Sequence, residues 1–146
     1  MGIFPEIDKI GPHRHVINKM STEKAAHKEM ATTFLRLAAS GKIREAFAKL
    51  VALGFRHHNP YFKGDADSLL RAIEESDAQN PNRTLEIQRA VAEGDLVAVH
   101  SRVKLKPESP GIAVVHIFRF EGDRIVELWD IGQPVPENSP NENGMF

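Results

Sequence analysis

The stretch that decides the fold is Val114 to Gln133, VVHIFRFEGDRIVELWDIGQ. Gly122-Asp123 interrupts it near its centre, and a glycine there supplies the positive φ that a tight hairpin turn needs. Ile112 to Phe120 and Arg124 to Ile131 are therefore read as two strands of one hairpin. Side chains alternate across a strand. On the first strand Val114, His116, Phe118 and Phe120 share a face, opposite Val115, Ile117 and Arg119; on the second, Val126, Leu128 and Asp130 share a face, opposite Ile125, Glu127 and Trp129. Apolar side chains on both faces predict that both faces are covered.

Outward from this hairpin the same pattern continues. Leu96 to Lys106 is a strand with Ala98, His100 and Arg102 on one face and Val97, Val99, Ser101 and Val103 on the other, joined onward by a wide turn at Pro107 to Gly111. The turn Glu93-Gly94-Asp95-Leu96 leads back to a strand marked by Leu85, Ile87 and Ala90. Before Arg83 the period changes from 2 to about 3.6. Ser21 or Thr22 is placed to cap a helix carrying Ala26, Met30, Phe34, Leu37 and Ala38, which Gly41 ends. A second helix bears Ile43, Phe47, Leu50 and Val51 and stops at Gly54; a third, capped by Asp65 or Asp67, buries Leu69, Leu70 and Ile73. Phe55 to Tyr61 is a brief extended segment and turn, since the residue before Pro60 is pushed away from helical geometry. Helices followed by hairpin-linked strands predict an α+β fold, in which about three helices close over a curved antiparallel sheet to make a cone around an apolar pocket. Residues 1–20 are read as an arm, 21–133 as the domain and 134–146 as a coil tail whose Met145 and Phe146 tuck onto the domain or across a dimer.

Composition narrows the function. The chain has 146 residues, 41% hydrophobic and 27% charged, enough for one core without covalent staples. A formal net charge of -1 gives no field that would draw it to nucleic acid or an anionic membrane, and its Lys and Arg are scattered rather than striped with aromatics. It has no Cys, which excludes disulfides, thiolate catalysis and zinc-thiolate sites and fits a cytoplasmic location. No signal peptide is visible, and no apolar run approaches the roughly 20 residues of a spanning helix. Phosphate-cradling glycine loops, dinucleotide fingerprints and nucleophile elbows are absent from the sequence.

The candidate chemistry lies on the central hairpin. His116 and Asp130 stand on neighbouring strands with a parity that allows a shared face with Val114, Phe118 and Leu128. A carboxylate and an imidazole in an apolar pocket shift each other's proton affinity and can move protons near neutral pH; the alternative is a buried pair that merely satisfies its own hydrogen bonds. His57 and His58 are adjacent in an extended segment, so only one of them can enter the same pocket. His58, His100, His116 and Asp130 also make a plausible ligand set for zinc or non-haem iron, but their spacing is not that of a metal motif, and no metal is expected. His13 and His15 form a His-x-His pair in the arm, where no ordered site is expected.

These residues resemble the SnoaL-like group of the nuclear transport factor 2-like superfamily, which includes polyketide cyclases and proteins regarded as aldol-condensation enzymes. The matching pieces are RHHNPYFKG at Arg56 to Gly64, VAVHSRV at Val97 to Val103, the central hairpin, and NENGMF at Asn141 to Phe146. The resemblance implies a curved-sheet cone, a homodimer paired through the outer sheet face, and acid/base chemistry on a small hydrophobic carbonyl compound without metal or organic cofactor. It places the acid/base role on Asp130 and matches His58, as a further catalytic group, to the histidine of the HNP motif; His116 joins them as a catalytic candidate from its position beside Asp130, not from the resemblance. His58 would line the pocket mouth or orient a carbonyl, and His100, Asn59, Phe118, Leu128 and Phe34 would contact the ligand. The chain departs from the group at Leu128, where a His is common, and at His116, where an Asp is common, so that one acid is exchanged for a base. The same fold also serves as a non-catalytic small-molecule-binding or dimerisation module, a use that fold alone does not separate from catalysis.

Overall fold

In the computed structural model, which describes residues 12–146, three helices pack on a five-stranded curved sheet, with the first strand inserted between the second and third helices. The elements run α1 (Pro12–Ala39), α2 (Ile43–Leu50), β1 (Val51–His57), α3 (Ala66–Gln79), β2 (Thr84–Glu93), β3 (Leu96–Lys104), β4 (Ile112–Glu121) and β5 (Arg124–Pro134). The strand order is β1-β5-β4-β3-β2. The sheet is mixed: β2 to β5 pair antiparallel, as expected, but β1 joins parallel to β5. Among the described residues, no helix is long and apolar enough to cross a membrane.

The helices follow their apolar stripes. Ala31, Phe34 and Leu35 of α1, Ile43 and Ala46 of α2 and Leu69 of α3 are buried in one core with Val97, Val99, Phe118 and Phe120 of the sheet. Gly41 ends α1 as its sequence predicts: at φ +78° it lets Lys42 N–H donate to the Leu37 carbonyl (2.9 Å) and its own N–H to that of Ala38 (3.4 Å), a Schellman closure. Asp65, not Asp67, caps α3, its side chain accepting from the Ser68 N–H.

Four expectations are corrected. α1 already runs from Pro12, the first described residue, rather than from a Ser21 or Thr22 cap. Thr22 Oγ1 donates to the Asn18 carbonyl inside the helix (2.8 Å). Val51 and Gly54 belong to β1, not α2. Gly54, at φ +77°, sits where the β1–β5 register slips between Val51 and Arg56, which breaks the alternation that marks a strand. β5 runs on to Pro134 because Gly132, Gln133 and Pro134 still pair with Val114, Ala113 and Ile112. Finally, Ile125 does not share the outer face with Glu127 and Trp129. It pairs with Phe120 while Glu127 pairs with Arg119, so Val126 is an extra, bulged residue that turns Ile125 inward, where it is fully buried.

The tail docks. The Phe146 ring stacks on His100 at 5.8 Å and 13°, and the Arg102 guanidinium lies 5.0 Å from its centre, all on the outer face of the sheet.

Candidate functional site

The pairing register brings the two predicted polar residues face to face. His116 and Asp130 are cross-strand partners, and Val99 on β3 pairs with His116 from the other side. Both open onto a cavity of about 300 Å³ between the inner sheet face, α1 and α3. Its walls are mostly apolar, from Phe34 and Leu35 of α1 to Leu69 and Ile73 of α3, with Leu128 beside the polar pair.

The segment after β1 supplies the third polar member. Asn59 precedes Pro60 and is held extended. Its Oδ1 accepts from the Tyr61 backbone N–H (3.0 Å), which turns its Nδ2 toward Asp130, where it donates to Oδ2 (2.8 Å). An amide with its oxygen already engaged can present only a donor, and a carboxylate oxygen is the matching acceptor. The His58 backbone N–H donates to the Leu128 carbonyl (2.9 Å), tying this segment to β5.

His116 is the unusual group. It is half-buried and lines the cavity. Burial lowers its pKa from 6.5 to about 4, against the opposing pull of Asp130. The imidazole is thus neutral at physiological pH beside a carboxylate, and its Nδ1 is buried with no hydrogen-bond partner. Orphaned buried polar atoms are uncommon in native proteins and mark places where a ligand group or water completes the bonding.

The other predicted residues divide. Asn59, Phe34 and Leu128 line the cavity with the polar pair. Phe118 lies on the same sheet face but is fully buried, packed edge-on against Phe34 at 5.6 Å; it forms the floor and does not meet the cavity. His100 faces the other side of the sheet, under Phe146. His58 is also turned outward. Its ring stacks on Trp129 at 4.8 Å and 3°, and its Nε2 lies 2.7 Å from Glu127 Oε1. The set His58, His100, His116 and Asp130 is therefore not assembled at one point. The histidine that turns inward is His57, 6% exposed. Its Nδ1 accepts from the Asn59 N–H (3.2 Å), which leaves the ring proton on Nε2, buried and without an acceptor. Burial lowers its pKa, while Asp130 and Asp65 oppose the shift. Alternation showed that only one of the two histidines could enter. Choosing between them required the register of β1, which the irregularity at Gly54 conceals.

Across the sheet, Glu127 is buried under its partners. Arg56 holds both carboxylate oxygens (2.7 and 3.1 Å), and Arg119 adds a bond of 2.9 Å. These bonds, chiefly Arg56's, hold its pKa at about 2 despite the desolvation that opposes them.

The family model for the SnoaL-like domain matches residues 31–128, which span α1 to the hairpin. Among solved structures, candidate hydroxylase AclR of Streptomyces galilaeus is 16% identical, with a TM-score of 0.66 over 75% of this chain and 90% of that one. IdmH of Streptomyces antibioticus, a candidate polyketide cyclase, is 23% identical with a TM-score of 0.61 over 73% and 91%. A candidate ketosteroid isomerase of Kribbella flavida is 20% identical with a TM-score of 0.65 over 82% and 86%. At these identities the likeness is one of fold. No curated protein matches the chain.

Proposed function

We propose, on the premise that the chain belongs to the SnoaL-like family, that it is an acid/base enzyme of the cyclase, aldol-lyase or isomerase kind, acting on a small hydrophobic carbonyl compound with no cofactor. The observation that carries this reading is the pairing of Asp130 with a neutral, half-buried His116 across the wall of an apolar cavity. Asp130 takes a proton from the carbon alpha to the carbonyl. The electron pair moves to the carbonyl oxygen, and His116, neutral and so carrying one N–H, donates to that oxygen as negative charge builds there. Asn59 is a positioning residue: it holds Oδ2 of Asp130 and leaves Oδ1 for the substrate proton. The enolate carbon then attacks a second carbonyl or regains the proton at another position, and Asp130 returns it. A neutral imidazole donor serves here better than a charged one, because the N–H of the neutral ring is a far weaker acid than imidazolium, closer in acidity to an enol.

The experiment is solvent deuterium exchange into the alpha positions of a panel of apolar ketones, followed by NMR. Wild-type protein should accelerate exchange of at least one ketone, and Asp130→Asn should reduce it by about 100-fold or more. Exchange that survives the substitution unchanged overturns the role of Asp130.

We also propose that two copies pair through the outer sheet face. Ile131, 63% exposed, with Ile117 and Trp129 at its side, forms an apolar strip that a second copy would cover. The comparison structures bring to this reading only their named activities, hydroxylase, cyclase and isomerase.

A further inference from the structure

The cavity has a second polar wall that the acid/base reading does not use. Arg83 lines it, just before β2. Its neighbour Thr84 pairs with Lys104, five residues along β3 from Val99, the residue opposite His116. At about 3.3 Å per residue this sets the two polar walls roughly 16 Å apart along the strands, a span that the reach of the arginine side chain shortens. Apolar surface from Phe34, Leu35, Leu69, Ile73 and Leu85 lies between them.

Arg83 is only 10% exposed, and a guanidinium stays charged even when buried. Its protein partners leave it short of acceptors. Nη2 donates to the Ala38 carbonyl at the end of α1. Asp77 Oδ1 is 3.2 Å from Nε, but off the line of its N–H, so that Nε is buried with no hydrogen bond. Asp77 is itself 31% exposed and shares its charge with solvent. A five-donor cation is thus fixed in the wall of an apolar cavity with an unmet N–H.

We propose that the ligand of this cavity is an apolar oxo acid, whose carboxylate is bound by Arg83 while its carbonyl end lies against His116 and Asp130. The placement of the carbonyl end rests on the enolate reading above; the carboxylate end does not. Guanidinium and carboxylate form paired, charge-assisted hydrogen bonds, and a carboxylate is an acceptor that the apolar walls would otherwise exclude. Arg83 is a specificity-determining residue in this arrangement, and Asp77 competes with the ligand for it.

The test is calorimetric titration of the full chain at pH 7 with 9-oxodecanoate and, separately, with 2-decanone, which has the same number of carbons and a methyl ketone but no carboxylate. The acid should bind about tenfold or more tightly than the ketone. Arg83→Met should abolish that preference without weakening ketone binding, and Asp77→Asn should tighten acid binding while leaving the ketone unchanged. A purely structural arginine would weaken both ligands together in Arg83→Met. Equal affinity of the wild type for the two ligands overturns the carboxylate site and leaves the enolate reading standing; loss of binding to both overturns the two readings together. Should Arg83→Met fail to fold, Asp77→Asn decides alone, and unchanged acid affinity in it refutes the proposal.

Discussion

The burial of His116 makes a stability prediction that can be worked through. Its imidazole has a pKa of 6.5 in the unfolded chain and about 4 in the folded one, because burial disfavours the charged form. The folded state therefore binds fewer protons than the unfolded state between these values. Stability from this residue is full above pH 6.5 and is lost as pH falls through 4. At about 1.4 kcal/mol per tenfold change in proton affinity, the loss between pH 7 and pH 5 is about 2 kcal/mol. Urea unfolding followed by the fluorescence of Trp129, the single tryptophan, reads it directly. Wild type should lose about 2 kcal/mol more than His116→Leu over that interval, with any contribution from His57 common to both proteins. Carboxylate titration lies mostly below it. A parallel NMR titration should find the His116 ring still neutral at pH 5.5. Equal pH dependence of the two proteins, or an NMR pKa at or above 6.5, would refute the claim that the imidazole is desolvated, and with it the neutral hydrogen-bond donor.

Other substitutions probe the rest of the frame. Glu127→Gln should cost about 1–3 kcal/mol at pH 7. Since the Glu127 pKa falls from 4.5 to about 2 on folding, the deficit should persist down to pH 4.5 and shrink only as pH drops toward 2, a window below that of His116; a deficit that vanishes between pH 7 and 5 would contradict the assignment. Phe146→Ala should remove the contacts to His100 and Arg102 and lower stability by about 1 kcal/mol, seen as a fall in Tm of roughly 3 °C, and an unchanged melting curve would show that the tail does not hold in solution. Ile131→Glu should convert a dimer to a monomer in light scattering coupled to size exclusion; a wild-type monomer, or a dimer that tolerates the charge, would defeat the proposed interface.

How much of this was legible before the structure follows from where alternation is unbroken. From Leu96 to Glu121 each strand keeps its period of 2, so parity allowed His116 a face in common with Phe118 and Asp130 and set His100 opposite Val97 and Val99; it did not say which face of that strand held the cavity, and the resemblance put His100 against the ligand, where the structure does not. Beyond these strands the reading failed at bulges. Val126 reverses the face of Ile125, and Gly54 hides β1, so neither the parallel edge strand nor the inward histidine was recoverable. Leu85, Ile87 and Ala90 did carry a signal, because a break from two-residue to three-residue spacing within one strand is what the register shift between Ile87 and Arg89 produces. The N-terminal part of α1 was hidden for a different reason. Its turns there are exposed, with His13, His15, Val16 and Ile17 all in solvent, so no buried face imposes a helical period on them. Arg83 was invisible as a site residue because it lies in a loop-to-strand junction, where neither parity nor period applies.

On the proposed reading, strand β5 shows how local environment, and not residue type, would select the reactive acid. It carries two carboxylates three residues apart, turned to opposite faces of the sheet. Glu127 meets two guanidinium groups and an imidazole; its charge is answered, and any proton it took up would break bonds that clamp β1 and β4 to β5. A carboxylate held near a pKa of 2 is too weak a base for carbon acids. Asp130 faces the cavity with one neutral amide bonded to one oxygen and a neutral imidazole across the strand pair. No cation cancels it there, and its second oxygen has no protein partner among the described residues. Proton transfer to Asp130 thus breaks no ion pair, whereas the same transfer to Glu127 would dismantle one. If exchange activity were to follow Glu127→Gln rather than Asp130→Asn in protein shown to remain folded, this ordering of the two acids would be reversed.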